Sequence, residues 1–475
     1  MARLALTALT LLLMEVLAVN AGDDHTDNPY YPVKDGNDYD GGYDSDCDNN
    51  PYNFTFLADT GVYGPPLEAV HAYSGQWPNG IAVSSTGRLF SSFGGIDPTN
   101  VNNGTPGIFT VGELTSPTTE EAYPSLEINT PPCSGGAINL TDPENPVGCG
   151  SPDHLISVLN LVIDSEDRLW ILDSGRPVYI FPNGSGVLLP SSYGGPKLIG
   201  VDLATDKVFS TILFPPNVAL PADSLLDDLR VDPSTGDGVA YITDASLTGQ
   251  NAIIVVDLGT GDSWRRLQGN PSVLPEPDFR PFVWGQPLYF VADPGFPPTG
   301  NLSTTSPPGY IPVGVDGITI SPDGETLFYS ALASRNLYSV PTALLRERDD
   351  AVEAELADAV VDYGQTGFAD GMESDSNGLV YRGNQEANAV VAVDPETGTT
   401  QTVVRDPTIG WVDTLSAADV EDEETGETQG WLYFTVNQLH LTSLFWSPGG
   451  AHEGDLREKP LALYRVPLLD DGGKI

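Results

Sequence analysis

The chain has 475 residues, with 66 acidic against 20 basic side chains and a formal net charge of −46. That balance excludes nucleic-acid binding, which needs Lys and Arg clusters to neutralise phosphates, and it fits solubility in an acidic medium. Apolar residues make up 40%, enough for a large core, while 51 Gly and 41 Pro suit many short strands and turns rather than long helices.

Residues 1–21 read as a signal peptide. Arg3 supplies the positive start, Leu4 to Val19 is mostly apolar, and Val19-Asn20-Ala21 offers small residues for cleavage. Residues 22–65 read as an acidic, disordered arm, because 23–48 carries nine Asp and one Lys among Gly, Asn and Tyr. Residues 66–475 are expected to form one domain. Outside the leader no segment approaches the ~20 apolar residues that span a membrane, so no membrane partner is expected. Asn-x-Ser/Thr triplets at Asn53, Asn103, Asn139, Asn183 and Asn301 support export and glycosylation. Of three cysteines, Cys133 and Cys149 bracket a Gly/Pro-rich loop and are expected to pair in an oxidising compartment, leaving Cys47 free or pairing between chains.

One unit recurs along the chain: an apolar strand, a turn with Asp, Ser or Gly, then a second apolar strand. Its copies are Asn79–Phe93, Leu159–Asp173, Asp227–Asp244, Asp316–Ser330, Asp370–Gly383 and Asp413–Val436. Each precedes a further apolar stretch able to supply outer strands, such as 198–214, 252–267 and 389–404. Six such units predict an all-β fold, a six-bladed β-propeller whose apolar faces are buried blade against blade. Leu67–Tyr73 is expected to close the ring as an extra outer strand. The long insertions 112–157, 174–197, 268–312, 346–368 and 437–460 are expected over one face, where ligand sites form. Tight turns such as 85–87 and 322–324 belong to the other.

Superposing the copies brings Asn79, Asp227, Asp316, Asp370 and Asp413 into register at the strand starts, with Asn160 one place later in the second copy. Four carboxylates around a channel repel one another and need a cation, shared protons or backbone donors. Three readings stand open: each Asp caps backbone N–H groups, the ring holds a hard cation such as Ca²⁺, or it meets a small organic ligand directly. No organic cofactor is expected. Second-strand ends and nearby loops add Asp173, Arg176, Asp244, Tyr381, Asn384, Asn437, His154 and His440 to the same face, and Trp284, Trp411 and Trp446 are candidate aromatic walls. For proton transfer the candidates are His154, Asp316, Asp370 and His440; for holding a developing oxyanion, Arg176, Tyr381 or Asn384.

The segments DRLWILDSG (167–175), LIGVDLATDKVFSTILFP (198–215), DSLLDDLRVD (223–232), AYITDA (240–245), IIVVDLGTGDSWR (253–265) and DGITISPDGETLFYSALAS (316–334), in this order, resemble the major royal jelly protein/yellow family. The resemblance implies a secreted six-bladed propeller with a ligand pocket on the channel axis. Insect members are associated with dopachrome conversion, and salivary members bind biogenic amines. Secreted propellers of fungal secondary metabolism include hetero-Diels–Alderases acting on tropolone quinone methides. The amine-binding residues of the family's fifth blade carry over to Thr366, Tyr381, Asn384 and Asn388. Three functions follow as expectations: an enzyme acting on an aromatic or quinoid metabolite by dehydration, tautomerisation or cycloaddition, a non-catalytic binder of amines or other metabolites, and a Ca²⁺-dependent lactonase.

Overall fold

A computed structural model describes residues 61–181, 186–290, 309–421, 428–442, 444–446, 455–469 and 472–474. The leader, most of the acidic arm, Cys47, Asn53, Asn183 and Asn301 lie outside them. Contacts divide the chain at Ala58/Asp59, and the second unit, Asp59–Ile475, contains the folded body. Tyr63, assigned to the arm from sequence, already exchanges backbone hydrogen bonds with Arg405 within this unit.

Six four-stranded antiparallel sheets are the blades. Blade one is Ile81–Val83, Leu89–Ser92, Val111–Ser116 and Thr119–Ala122; blade two is Val158–Ile163, Arg168–Asp173, Lys197–Asp202 and Lys207–Leu213. Blade three is Leu226–Asp232, Val239–Asp244, Ala252–Asp257 and Ser263–Arg266; blade four is Val315–Ile320, Thr326–Ala331, Asn336–Pro341 and Val361–Gln365. Blade five is Met372–Ser374, Val380–Asn384, Ala389–Asp394 and Thr399–Arg405. Blade six takes Val412–Glu421, Thr428–Val436 and Leu461–Pro467 from the C-terminal part and Glu68–Tyr73 from the start of the body. The expected closing strand is therefore present, paired with Leu461–Pro467. Successive innermost strands touch around the whole ring, the first against the last.

The burial pattern follows from this stacking. Ala252–Val256 is buried at every position, because blades cover both of its faces and alternation is unnecessary. The outermost Lys207–Leu213 is mostly exposed. Apolar clusters fill the seams between neighbouring blades, and a separate one, including Leu225, Val313, Leu332, Phe368, Trp411 and Phe445, lies under the mouth loops. The Cys133–Cys149 disulfide forms, with its Cα atoms 5.8 Å apart, closing the loop that enters blade two. Among the described residues no helix is long and apolar enough to cross a membrane.

Two loop assignments change. The first insertion, expected over 112–157, begins at 123, because 111–116 and 119–122 are the outer strands of blade one. The insertion expected at the mouth over 346–368 joins the third and fourth strands of blade four, which places it on the opposite face. After Pro341, whose φ of −63° suits a helix start, the chain forms the short helices Thr342–Arg346 and Glu353–Asp358, burying Leu345 and Leu356 before the fourth strand begins.

Candidate functional site

The start of each innermost strand builds the site. In blades two, three, four and six the ladder slips there, between Val158/Asn160, Leu226/Leu229, Val315/Ile318 and Val412/Leu415. A bulge turns an extra side chain out of the pleat, here toward the channel. Hydroxyls on the second strand take up freed backbone donors: the Asp228 N–H donates to Thr243 Oγ1 at 3.0 Å and the Thr414 N–H to Thr435 Oγ1 at 3.2 Å. In blade one the Gly80 N–H donates to Ser92 Oγ at 2.8 Å. Glycines follow the ring residue where the next blade is too near for a side chain. A Cβ on Gly317 would fall 2.2 Å from the Asp370 carbonyl oxygen, and one on Gly371 2.4 Å from that of Asp413.

Asn79, Asp227, Asp316, Asp370 and Asp413 accordingly line one pocket at the channel mouth. Its walls are apolar, including Leu225, Val313, Leu332, Leu439, Phe290 and Phe445, and among the described residues no Lys or Arg lines it. Two long loops meet above it, with Tyr289–Phe290 pairing against Phe445–Trp446. Asp316 and Asp370 are 3% and 7% exposed, whereas Asp227 and Asp413 are half-buried. Asp316 stands between Asp227 and Asp370, sharing a hydrogen bond with each. Burial first, then the neighbouring carboxylates, pushes Asp227, Asp316 and Asp413 well above the usual carboxylate range. Burial likewise pushes Asp370 up to about 7, while the indole of Trp411, donating Nε1–H to its Oδ2 at 2.5 Å, pulls it down. The ring can therefore hold protons at neutral pH. Among the described residues no three His, Cys, Asp or Glu side chains are placed to hold a metal ion.

The second copy departs from the ring. Leu159 joins the apolar cluster under the mouth loops, and Asn160 is absent from the mouth pocket. Its amide donates to Asp228 Oδ1, a buried carboxyl that the sequence reading missed and that burial pushes up to about 6. The only sequence sign of Asp228 was the doubled Asp at the bulge.

Other expected site residues are engaged elsewhere. Asp173 accepts from the N–H groups of Ile156, Ser157 and Gly175 and from Lys197 Nζ, the last at 2.8 Å. Asp244 does the same work one blade on, accepting from Leu225 N–H and from Arg265 at 2.8 Å. Arg176 is not available to an oxyanion, since its guanidinium donates to the carbonyls of Leu188, Leu189 and Ser224. Tyr381 sits on the opposite face. It begins its strand rather than ending it, and its hydroxyl donates to Asp375 in the lower turn. Thr366 accepts from Arg382, and Asn388 donates to the Ile409 carbonyl at 2.9 Å. The side chain of Asn384 packs against Gly367, outside the mouth pocket. Asn437 donates to Asp413 Oδ2 and to the Pro78 carbonyl, tying blade six to the ring. His440 is buried behind the pocket wall, stacked on Trp411 with centroids 6.1 Å apart and edge-on to Trp284 at 4.5 Å. His154 bonds Ser151 Oγ at 2.8 Å in the loop entering blade two and does not line the mouth pocket. The side chain of Trp446 lies outside the described residues. The described sequon residues Asn103 and Asn139 are exposed and half-buried, each with its Oδ1 accepting from the following Thr.

The chain is similar to several known proteins. Major royal jelly protein 1 of Apis mellifera is 28% identical over 202 residues, 41% of this chain and 39% of that protein. Major royal jelly protein 3 of the same organism is 27% identical over 194 residues, 40% of this chain and 29% of that protein. The match thus spans well under half the length of these relatives. Among solved structures, the calcium-binding protein regucalcin from Agrobacterium tumefaciens is 13% identical, with TM-score 0.42 over 84% of this chain and 92% of that one. A catalytically inactive variant of virginiamycin B lyase from Staphylococcus aureus with quinupristin is 12% identical, with TM-score 0.40 over 85% and 99%. The family model for major royal jelly protein matches residues 156–442, so the chain belongs to the major royal jelly protein family.

Proposed function

We propose that this protein is an exported, cofactor-independent enzyme acting on a small aromatic alcohol or quinoid metabolite in the mouth pocket. The observation that carries this reading is a cluster of proton-sharing carboxyl groups on the floor of an apolar pocket. Such a floor supplies an acid and a base side by side near neutral pH. Asp316 is the acid and Asp370, whose carboxylate the Trp411 indole steadies by hydrogen bond, the base. For a hydroxymethyl-substituted phenol, Asp316 gives its proton to the leaving hydroxyl as the benzylic C–O bond breaks. Asp370 takes the phenolic proton, and water and a neutral quinone methide result. The hydrogen bond between Asp316 and Asp370 returns the proton. The apolar walls then order the quinone methide against an alkene for a hetero-Diels–Alder closure, which needs proximity but no further group.

The test is turnover of 2-(hydroxymethyl)phenol with a trapping alkene, followed by chromatography of the adduct. Asp316→Asn and Asp370→Asn are expected to lower kcat by roughly 10²–10⁴-fold, while Asp323→Asn, on the opposite face, leaves it unchanged. In the parent, kcat/KM falls on the acid side with an apparent pKa near 7, where Asp370 becomes protonated. Full activity in the Asp316→Asn/Asp370→Asn double variant would refute the assignment.

The absence of Lys and Arg from the described pocket lining favours a second reading, a binder of aromatic amines. Calorimetry with tryptamine separates the two. A binder holds the amine more tightly as the ring ionises from pH 6 to 8 and forms no adduct in the alkene assay.

A further inference from the structure

A second pocket adjoins the mouth pocket and shares Trp77, Ile96, Leu439 and Leu444 with it. Its far end is Arg457, with Asp97 and Asp455. The Arg457 side chain is 6% exposed. Nε donates to Asp455 at 2.8 Å, and one terminal nitrogen donates to Asp97 and to Asp455, both at 2.5 Å. The guanidinium lies over the Trp77 ring, 5.1 Å from its centroid. Its other terminal nitrogen, Nη1, is shielded from solvent and has no hydrogen-bond partner among the described residues. A buried donor left unmade is costly, and an arriving acceptor recovers that cost.

The charges narrow what that acceptor is. One guanidinium and two carboxylates leave these three groups at net −1, offset only from the outside by Lys459, whose charge acts on the exposed Asp455, in a chain of net −46. A further anion is repelled, whereas a neutral carbonyl oxygen is not. The surrounding side chains, Trp77, Ile96, Pro98, Leu439 and Leu444, offer an apolar aromatic slot. We propose that this annex is a binding subsite for the carbonyl end of a neutral, aromatic ligand, with Arg457 Nη1 as the donor that selects it. The proposal deepens the small-molecule reading of the mouth pocket and rests on it. A ligand bridging the two pockets presents a carbonyl to Arg457 and its reacting end to the carboxyl floor.

Three bicyclic probes test it by calorimetry: α-tetralone, tetralin, which lacks the oxygen, and 1-naphthoate, which is anionic. The parent is expected to bind tetralone about tenfold more tightly than tetralin, the scale of one buried hydrogen bond, and naphthoate more weakly than tetralone. In the double variant Arg457→Met/Asp97→Asn, which removes the donor together with the buried carboxylate it pairs, the tetralone advantage collapses while tetralin binding stays. Should that variant fail to fold, Asp455→Asn, altering an exposed carboxylate, brings the cluster to neutrality and raises naphthoate binding relative to tetralone several-fold. Asp316→Asn retains the tetralone advantage although it lowers turnover, so failure of the catalytic assignment is read separately. Equal binding of tetralone and tetralin by the parent, an advantage that survives loss of Arg457, or naphthoate as the tightest probe would each overturn the proposal.

Discussion

Asp370 carries the plainest consequence at the scale of single residues. Its folded pKa, pushed up to about 7 by burial, exceeds the value of 3.8 that an unperturbed Asp takes. Between those values the folded state holds a proton that the unfolded chain has released, so stability falls as pH rises through this window. Asp227, Asp316 and Asp413 are raised too and act with the same sign. Surface carboxylates such as Asp257, Asp323 and Asp394 are lowered, chiefly by hydrogen bonds to nearby backbone or side-chain groups, and their contribution is lost only as pH falls below the ordinary Asp range. Asp370→Asn removes the charge that the ring resists. Scanning calorimetry should find its Tm a few degrees above the parent's at pH 8, with no such gain at pH 5. A parent more stable at pH 8 than at pH 5 would show that the ring does not store protons. The ring was legible in sequence because repeats put its members in register. The roles of Arg176 and Tyr381 were not, because a side chain's partners depend on chain segments far away in sequence, such as Ser224 for Arg176 and Leu469 for Tyr381.

At the scale of elements, bulge and glycine together aim the ring. Repeat spacing located the innermost strands but could not reveal the ladder slip that separates Asp227 from Asp228. The two carboxyls enter different surroundings for that reason, one lining the mouth pocket and the other bonded to Asn160 beneath it. The glycines at 317 and 371, one place after ring residues at the strand starts, lie where the innermost strands of adjacent blades approach most closely. Gly371→Ala puts a methyl group into the Asp413 carbonyl, whose oxygen also accepts the Gly371 N–H at 2.8 Å. Backbone cannot yield as a flexible side chain does, so the cost is on the order of 1–3 kcal/mol, the range for overpacking. The substitution should also spread Asp370 from Asp413. Denaturant unfolding should register the loss, and turnover of the hydroxymethylphenol should fall further than stability does. Gly87→Ala, in an open turn where a Cβ meets nothing, controls for the substitution itself, although its φ of +79° adds local strain.

At the scale of the whole molecule, the ring is closed by backbone hydrogen bonds between strands nearly 400 residues apart in sequence. Glu68–Tyr73 is the only strand of the sheet in blade six that comes from the beginning of the folded unit. It buries Tyr73, and His71 bonds Ser116 and Glu120 of blade one. Closure thus has two parts: the ladder completes blade six with a strand from the start of the folded unit, and the His71 contacts tie that strand to blade one. A chain starting at residue 75 loses both and leaves Leu461–Pro467 as an open edge, where unpaired N–H and C=O groups invite pairing with another copy. The expected result is a species that still has strand signal by circular dichroism but unfolds over a broader transition, at lower temperature, and sediments partly as dimer or aggregate. Because the mouth pocket draws Asn79 from blade one and its carboxyl groups from blades three to six, an opened propeller should also lose the acid-side pKa near 7 in its activity profile. A chain starting at 75 that melts cooperatively, stays monomeric and keeps that profile would mean that the inner strands alone hold the site together.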